Sequence, residues 1–391
     1  MLIKAANAYI GGRFRKADIL IKGERIAKIA NTIEADGEEV LDAAGLVALP
    51  GLIEMHAHLR EPGQTQKEDF ITGSRAALAG GYTLVYDMPN NMPVPTITKA
   101  ALEEKKQLAK KALCEIRFHF GATDANLGEV KAANPGSMKM YLGKTTGNIV
   151  LNEDDAILAH MRGFPKERQI VVHAHGEGGS EEDDEKGIAR AVSLAKTAAR
   201  KVHLTHLTTV RELEIAGGWR LASIDCTPHH LFLNKEDGAA MKPEEMALVN
   251  PPLRSRKEVA LLWKNLDKID AVATDHAPHL PDEKMQGARG FPGLETALAL
   301  FFDAYSKKLV SLEWIAQRFS ENPAKIMGLK GYGKLENGYF ANITLVDTKK
   351  EWKVEGSELY TKCKWSPFEG RKLKGRVART ICKGKTAFTF D

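Results

Sequence analysis

Cysteine is scarce in this sequence, with 4 residues in a chain of 391. These cysteines stand far apart, and none belongs to a Cys-x-x-Cys pair, the spacing that would indicate a structural zinc site or a redox site. Disulfide frameworks belong mainly to small proteins of oxidising compartments. We therefore expect unpaired thiols and a reducing, cytoplasmic environment.

Long apolar runs are also missing. No stretch approaches the roughly 20 apolar residues that a membrane-spanning helix needs. The segment that begins at Met1 lacks the apolar core of a secretory signal peptide. The sequence therefore predicts no membrane association.

Positive charge is not concentrated anywhere, although the net charge is +5. Lysine and arginine are interspersed with acidic residues, which form local runs such as 181–185. Nucleic-acid binding requires a basic patch or stripe, so we expect no nucleic-acid partner. With 43% hydrophobic and 27% charged residues, the composition is that of a globular protein with a substantial core.

The two ends of the chain have the same residue pattern. Apolar and polar residues alternate at 17–22 and 24–29, and again at 341–346 and 377–382. Alternation with period two, interrupted by glycine, is typical of antiparallel strands. We predict that residues 1–50 and 335–391 pair into one small β-sandwich module, beside a catalytic domain formed by residues 51–334.

The middle of the chain alternates apolar, β-rich runs with helical segments. The runs cover residues 46–58, 83–88, 114–121, 137–142, 169–175, 202–207, 222–231 and 271–279. Strands that alternate with helices form parallel sheets, and eight of them favour a closed (β/α)₈ TIM-like barrel over an open doubly wound sheet. A dinucleotide-binding fold loses its support because no Gly-x-Gly-x-x-Gly follows the first run. The predicted class is therefore α/β.

Histidines collect at the C-terminal ends of these runs, the rim on which barrel active sites are built. They are His56, His58, His173, His175, His203, His206, His229, His230, His276 and His279, out of 12 in the chain. Two histidines at i and i+2 of a strand share a face and can point at one ion. An isolated pair is as often an ordinary buried pair, but this clustering indicates a metal site.

Imidazole and carboxylate groups without cysteine suit a catalytic site for zinc or a similar divalent ion. Such an ion, or a pair about 3.5–4 Å apart, activates water and polarises a carbonyl group. We therefore expect hydrolysis or its reversal. Lys139, on the fourth run, is either a salt-bridge partner or, after its neutral amine has reacted with carbon dioxide, a carbamate that bridges two metals.

Six short motifs, taken in order, resemble the amidohydrolase superfamily and, within it, the dihydroorotases. They are HAHLREPG at 56–63, MPN at 88–90, TPHHL at 227–231, NPPLR at 250–254, DHAPH at 275–279 and PGLET at 292–296. The resemblance spans nearly the whole chain. It implies the metal-dependent, reversible cyclisation of N-carbamoyl-L-aspartate to L-dihydroorotate in de novo pyrimidine biosynthesis.

The same resemblance implies roles for individual residues. It assigns His56, His58 and Asp275 to one metal and His173 and His206 to a second, with two Zn²⁺ or similar ions bridged by N6-carboxylysine at Lys139. Asp275 is also the implied catalytic base and acid. The implied substrate-binding residues are His58, Arg60, Asn90, Asn250, His279, Pro292 and Gly293. Arg60 offers the substrate carboxylate a two-pronged donor that lysine lacks.

Several positions depart from the family pattern. Glu54 stands where aspartate is usual, and Lys144 is a less favoured substitute for Lys139 at the bridging position. Near the end of the fifth strand, either His173 or His175 is the ligand, and a register that uses Glu177 competes. His173 is preferred because an apolar run leads directly to it.

His203 is assigned to packing, because it lies at i−3 from His206 and on the opposite face of a strand. His229 and His230 are either hydrogen-bonded histidines of the barrel rim or metal ligands, and the sequence does not decide between these roles.

Two rival functions stay open. An allantoinase or hydantoinase-like cyclic amidase shares the metal ligands, but its neutral ring leaves Arg60 without a partner. A non-catalytic amidohydrolase-like scaffold would have lost ligands that this chain keeps. Besides a small-molecule substrate, the sequence leaves open a homo-oligomer or an association with aspartate transcarbamoylase.

Overall fold

The structure is a computed structural model, and it describes residues 1–143, 149–176 and 179–390. The strands within these ranges are β1 (Leu2–Ile10), β2 (Arg13–Lys22), β3 (Arg25–Ala30), β4 (Val40–Asp42), β5 (Val47–Pro50), β6 (Leu52–Ala57), β7 (Tyr82–Asp87), β8 (Glu115–Phe118), β9 (Phe120–Gly121), β10 (Ser137–Tyr141), β11 (Gln169–His173), β12 (Val202–Leu204), β13 (Ala222–Cys226), β14 (Ala271–Val272), β15 (Ile343–Lys353), β16 (Lys372–Cys382) and β17 (Lys385–Thr389).

The α-helices within the same ranges are α1 (Phe70–Ala79), α2 (Lys99–Leu108), α3 (Leu127–Ala133), α4 (Asp154–Gly163), α5 (Glu181–Thr197), α6 (Val210–Gly217), α7 (Pro228–Phe232), α8 (Lys235–Ala240), α9 (Arg256–Lys264), α10 (Pro281–Met285), α11 (Ala297–Ser306), α12 (Leu312–Ala316) and α13 (Asn322–Ile326). A π-helical turn, Gln317–Glu321, joins α12 to α13. No helix among the described residues is both long enough and apolar enough to cross a membrane.

Parallel strands form the centre of the molecule, and every predicted run contains at least one of them. The strands β6, β7 and β8 form one parallel sheet, and β9 to β14 form a second in chain order. Only His119 separates β8 from β9, so the two sheets adjoin along one stretch of chain. At the opposite side, His58 N donates to His276 O over 2.8 Å, which brings the end of β6 to the segment that follows β14.

Most of the strands are shorter than the runs that predicted them. The run at 222–231 contains β13 and then turns into α7, because Pro228 occupies the first turn and the Thr227 side chain accepts a hydrogen bond from His230 N. A proline there fixes a helical φ at no hydrogen-bonding cost. The run at 271–279 is a strand only over β14. The polar side chains of interest lie at or just beyond the ends of these strands.

Strands from both ends of the chain share one eight-stranded sheet, in the order β17-β16-β15-β5-β1-β2-β3, with β4 paired to β1. The junction between the two ends is antiparallel, with β15 residues Ile343 to Val346 beside β5 residues Pro50 to Val47. A buried apolar cluster draws on both ends as well and includes Ile3, Ile19, Ile343 and Ile381. The alternating residues predicted at the termini therefore pack together.

Candidate active site

A cleft with a volume of about 360 Å³ opens at the C-terminal ends of the parallel strands. Eight of the residues singled out from the sequence line it: His56, His58, Arg60, Asn90, His173, His206, Asn250 and Asp275. They come from segments far apart in the chain, and the shared C-terminal edge of parallel strands brings them together.

The first group of potential metal ligands is His56, His58 and Asp275. Asp275 Oδ1 lies 3.3 Å from His56 Nε2 and 3.1 Å from His58 Nε2. His58 Nδ1 lies 2.8 Å from Asn90 Oδ1 and donates to it, which leaves the lone pair of a neutral ring on Nε2, facing the carboxylate. In this tautomer His58 Nε2 and Asp275 Oδ1 are both acceptors and cannot bond to each other. A cation bound between them would stabilise the arrangement.

The second group is His173, His175 and His206, whose ring nitrogens also lie close enough together to hold one ion. His173 Nδ1 lies 2.9 Å from His206 Nε2. His173 and His206 line the cleft. His175 is completely buried, and its Nε2 lies 3.4 Å from Glu212 Oε1.

The protonation states fit cations at both groups. Burial lowers the pKa of His56, His173 and His206 well below the ordinary value, and burial also lowers the pKa of His58. All four rings are therefore neutral. Within the part of the chain that the structure describes, His56 Nδ1, His173 Nε2 and His206 Nδ1 are buried without a hydrogen-bond partner. Buried neutral imidazoles with free nitrogens beside a carboxylate form a donor set for divalent ions.

Lys139 is buried in β10, at the base of both groups. Its Nζ donates to Thr205 Oγ1 over 3.3 Å and lies 5.1 Å from the centre of the Tyr141 ring. Burial lowers the pKa of this ammonium group to about 7. A large fraction of the side chain is therefore a neutral amine near pH 7, the form that reacts with carbon dioxide. Lys144, the less favoured bridging residue, lies outside the described residues, as does Glu177.

Buried carboxylates hold the backbone of the ligand segments in place. Glu54 accepts hydrogen bonds from His56 N over 2.7 Å and from Thr274 N over 3.0 Å, so it ties the end of β6 to the residue before Asp275. Asp225 accepts from His206 N over 2.6 Å. Neither Glu54 nor Asp225 lines the cleft, so both carboxylates act on the backbone of the ligand segments.

Arg60 lines the cleft, and His279, which does not line it, lies against the Arg60 guanidinium. Arg60 is 4% exposed, and its Nη2 lies 3.0 Å from His279 Nε2. A buried guanidinium beside a cleft provides a strong site for a carboxylate. Asn90 lines the same cleft, and Asn250 is half-buried at its wall.

The loop before α11 differs from the sequence-based assignment. Gly293 N donates to His276 Nδ1 over 3.1 Å, and both Pro292 and Gly293 are buried behind the cleft. Arg289 and Gly290, which the sequence reasoning missed, line the cleft instead. No pattern in the sequence marked them, because the path of this loop depends on tertiary contacts.

Three further histidines make hydrogen bonds or packing contacts within the protein. His203 forms a 2.8 Å pair with Asp225, in agreement with its assignment to packing. His230 bonds to Thr227 Oγ1 over 2.7 Å and to Pro251 O over 2.9 Å. His229 packs edge-on against Phe291. Neither His229 nor His230 lines the cleft.

The sequence comparisons identify the family. The model of the Amidohydrolase family matches residues 47–387. The chain is 35% identical over 399 residues to a protein named dihydroorotase from Thermococcus kodakarensis, covering 100% of this chain and 95% of that protein. It is 37% identical over 351 residues to part of the multifunctional protein CAD of Squalus acanthias, covering 88% of this chain and 15% of that protein.

Solved structures share the fold. An L-hydantoinase (dihydropyrimidinase) from Arthrobacter aurescens superimposes with a TM-score of 0.93 at 24% identity, covering 98% of this chain and 95% of that chain. A dihydropyrimidinase from Brevibacillus agri gives a TM-score of 0.90 at 22% identity, covering 98% and 94%. At these identities the likeness concerns the fold alone.

Proposed function

The chain belongs to the amidohydrolase family and, within it, to the dihydroorotases, and from this membership we propose that it interconverts N-carbamoyl-L-aspartate and L-dihydroorotate. The enzyme is a hydrolase that acts on a cyclic amide C–N bond. This reaction belongs to pyrimidine biosynthesis. Relatives at 33–35% identity that bear the name dihydroorotase support the assignment over at least 95% of the chain.

The observation that carries the proposal is the position of Arg60. Its guanidinium is buried beside the same cleft as both histidine groups. Dihydroorotate carries a carboxylate on the ring that is opened, whereas hydantoin and allantoin have no carboxylate. A buried arginine in a site for a neutral ring would be left without an anionic partner, at a considerable cost in free energy.

Two divalent ions, Zn²⁺ or similar, fit the donor groups. His56, His58 and Asp275 would hold one, His173 and His206 the second, and Lys139 in its carboxylated form would bridge them. In the carboxylation, the amine nitrogen of Lys139 bonds to the carbon of CO₂ and releases one proton. Bound there, the ions supply Lewis acidity, which lowers the pKa of water and polarises a carbonyl oxygen.

Asp275 moves the proton in the ring-opening direction. Its carboxylate lines the cleft, close to the imidazoles of His56 and His58. It takes a proton as the water oxygen bonds to the ring carbonyl carbon, and it gives that proton to the ring nitrogen as the C–N bond breaks. In ring closure, the same carboxylate removes a proton from the carbamoyl nitrogen as that nitrogen bonds to the carboxyl carbon. It then gives the proton to the oxygen that leaves this carbon as water.

Arg60, Asn90 and His279 would hold the substrate carboxylate and so fix the distance between the reacting carbon and Asp275. Asn250 is proposed to complete the wall of the ring pocket. For Pro292 and Gly293 we propose an indirect contribution, because the bond from Gly293 N to His276 orders the loop that carries Arg289 and Gly290.

We further propose that β6 to β14 form the closed barrel and that residues 1–50 and 335–391 form the sandwich module beside it.

The free thiols of all four cysteines support a cytoplasmic location. Because the chain matches only 15% of the multifunctional protein CAD, its relatives include parts of larger assemblies. We propose either a homo-oligomer or an association with aspartate transcarbamoylase, which size-exclusion chromatography of the two purified proteins distinguishes.

The test is an assay in both directions with the purified protein. We expect ring opening of L-dihydroorotate and ring closure of N-carbamoyl-L-aspartate, with Asp275→Asn lowering both rates by about 1000-fold or more. Wild-type protein that is metal-loaded and inactive in both directions would contradict the proposal.

A further inference from the structure

Lys67 does not line the cleft but lies against His279, and no motif in the sequence pointed to it. Its Nζ lies 3.3 Å from His279 Nδ1 and 3.2 Å from Glu283 Oε1. Lys67 is 8% exposed and His279 4% exposed.

The imidazole of His279 is neutral. Burial, together with the positive charges of Arg60 and Lys67, lowers its pKa to about 2. A neutral imidazole has one nitrogen that carries a hydrogen and one that carries a lone pair, and its neighbours determine which is which. The two ring nitrogens of His279 have different neighbours.

Lys67 determines the state of Nδ1. An ammonium group has three donors and no acceptor, so Nδ1, 3.3 Å from it, can bond to it only by presenting its lone pair. Nε2, in contrast, has both a donor, Arg60 Nη2, and an acceptor, Arg289 O, within hydrogen-bond distance. Glu283 Oε2 lies 3.8 Å from Nδ1, too far to accept a hydrogen bond from that atom. The ring hydrogen therefore resides on Nε2, where Arg289 O accepts it over 3.2 Å.

This tautomer leaves two donors face to face. Arg60 Nη2 and His279 Nε2 are 3.0 Å apart, and each carries hydrogen. Neither can accept from the other. An anionic oxygen placed beside both accepts from Arg60 Nη2 and shares the Nε2 hydrogen with Arg289 O. In the alternative tautomer, Nε2 would accept from Arg60 Nη2 and would offer the anion no hydrogen.

We propose that Lys67 is a positioning residue that holds His279 as the Nε2–H tautomer, so that Arg60 and His279 together donate to the substrate carboxylate. The identity of that carboxylate as the one on dihydroorotate rests on the proposed function. The tautomer itself is a property of the protein without ligand.

The experiment reads the tautomer directly. Nitrogen NMR of protein labelled with ¹⁵N-histidine distinguishes a protonated from an unprotonated ring nitrogen, and the His279→Gln spectrum identifies the signals of His279. We expect Nε2–H in the wild type, a switch to Nδ1–H in Lys67→Met, and the wild-type pattern in Lys67→Arg, which keeps a donor. Lys106→Met, which removes an exposed lysine paired with Glu103, is the matched control.

Kinetics provide the second measurement. In Lys67→Met we expect the KM for L-dihydroorotate to rise about tenfold or more while kcat changes less than about threefold, because a charge-assisted contact to the bound ring is weakened. The preference for dihydroorotate over its uncharged carboxamide should fall by a similar factor. Lys67→Arg should restore most of both, and Lys106→Met should change neither.

Two results overturn the proposal: an Nδ1–H tautomer in the wild type, or an unchanged tautomer and KM in folded Lys67→Met. A loss of kcat in Lys67→Met with its KM unchanged also counts against it, because that pattern indicates general disruption. Absence of turnover in the wild type would refute the proposed function instead, and the spectrum would still report whether Lys67 sets the tautomer.

Discussion

Arg60, His206 and Asp275 adopt left-handed backbone conformations, with φ of 65°, 45° and 46°. Such φ values are uncommon for residues other than glycine, and each costs of order 1 kcal/mol or more. All three residues line the cleft. The hydrogen bond from His206 N to Asp225 shows how a buried carboxylate stabilises one of these conformations.

Individual residues were predictable where a local pattern exists. The i, i+2 spacing identified His56 and His58, and the apolar run before His173 favoured it over His175, which lies buried against Glu212. Lys67 had no such pattern, because it reaches His279 from a loop more than 200 residues away in sequence. Contacts of this kind are fixed by tertiary structure alone.

Arg60→Lys tests the two-pronged donor. The substitution keeps the charge but loses the planar fork, so we expect the KM for L-dihydroorotate to rise roughly tenfold or more with a smaller change in kcat. Steady-state kinetics measure both quantities. Arg211→Lys, in an exposed pair with Glu214, should change neither. An unaffected KM in Arg60→Lys would remove Arg60 from substrate binding.

Lys139→Arg tests the carbamate. Arginine keeps the positive charge but does not form a carbamate, so we expect turnover to fall on the order of a hundredfold or more and the bound metal to decrease. Native mass spectrometry of the wild type should show the added mass of one CO₂, lost on acidification. Lys201→Arg, at a half-buried lysine in another segment, is the control. Full activity of Lys139→Arg would exclude a carbamate role.

At the scale of elements, two close contacts fix the segment after β11. A Cβ atom at Gly187 in α5 would lie 1.8 Å from Ala174 O, and a Cβ atom at Gly143 would lie 1.8 Å from His175 O. Only glycine allows the backbones to approach so closely. The helix thus determines the position of the peptide next to His173.

Gly187→Ala should therefore lower the free energy of unfolding by about 1–3 kcal/mol and reduce metal binding and turnover. Denaturant unfolding and metal analysis measure the two effects. Gly217→Ala in α6 is the matched control, because no atom lies within 4 Å of its added Cβ. That variant should be unchanged or more stable by up to about 1 kcal/mol. Equal behaviour of the two variants would refute the packing argument.

The elements themselves were largely predictable, and their ends were not. The side chain of Thr98 accepts a hydrogen bond from Ala101 N at the start of α2, and threonine is a residue type that commonly begins helices. The run at 271–279, in contrast, was apolar enough for a long strand but leaves the sheet after Val272. The positive φ at Asp275 prevents a regular strand there, and composition does not reveal it.

At the scale of the whole molecule, Glu295 connects the segment before α11 to the C-terminal part of the chain. Its carboxylate accepts hydrogen bonds from Tyr360 N over 2.9 Å and from Thr361 N over 3.0 Å. Burial raises the pKa of this carboxyl group to about 7. The folded protein therefore binds the proton more tightly than the unfolded chain does.

The resulting stabilisation is present below the unfolded pKa and is lost as the pH rises through 7. Relative to Glu295→Gln, which does not titrate, the wild type should lose up to about 3 kcal/mol of unfolding free energy between pH 4.5 and pH 8. Denaturant unfolding across this range measures it. Glu34→Gln, at an exposed carboxylate, should show no such trend. A difference independent of pH would contradict the assignment.

The sequence suggested this architecture because two different patterns occupy different parts of the chain. Alternation at both termini and eight apolar runs between them correspond to the eight-stranded sheet and the two adjoining parallel sheets. The relation of Glu295 to Tyr360 was not predictable, since it joins segments that no periodicity links.

The most direct test of the central claim compares substrates on one preparation. L-dihydroorotate, hydantoin and allantoin are each offered to the purified protein before chelation, after it, and after zinc is returned. We predict turnover of dihydroorotate that chelation abolishes and zinc restores, with little activity on the two neutral rings. Metal-dependent turnover of hydantoin or allantoin without turnover of dihydroorotate would contradict the account.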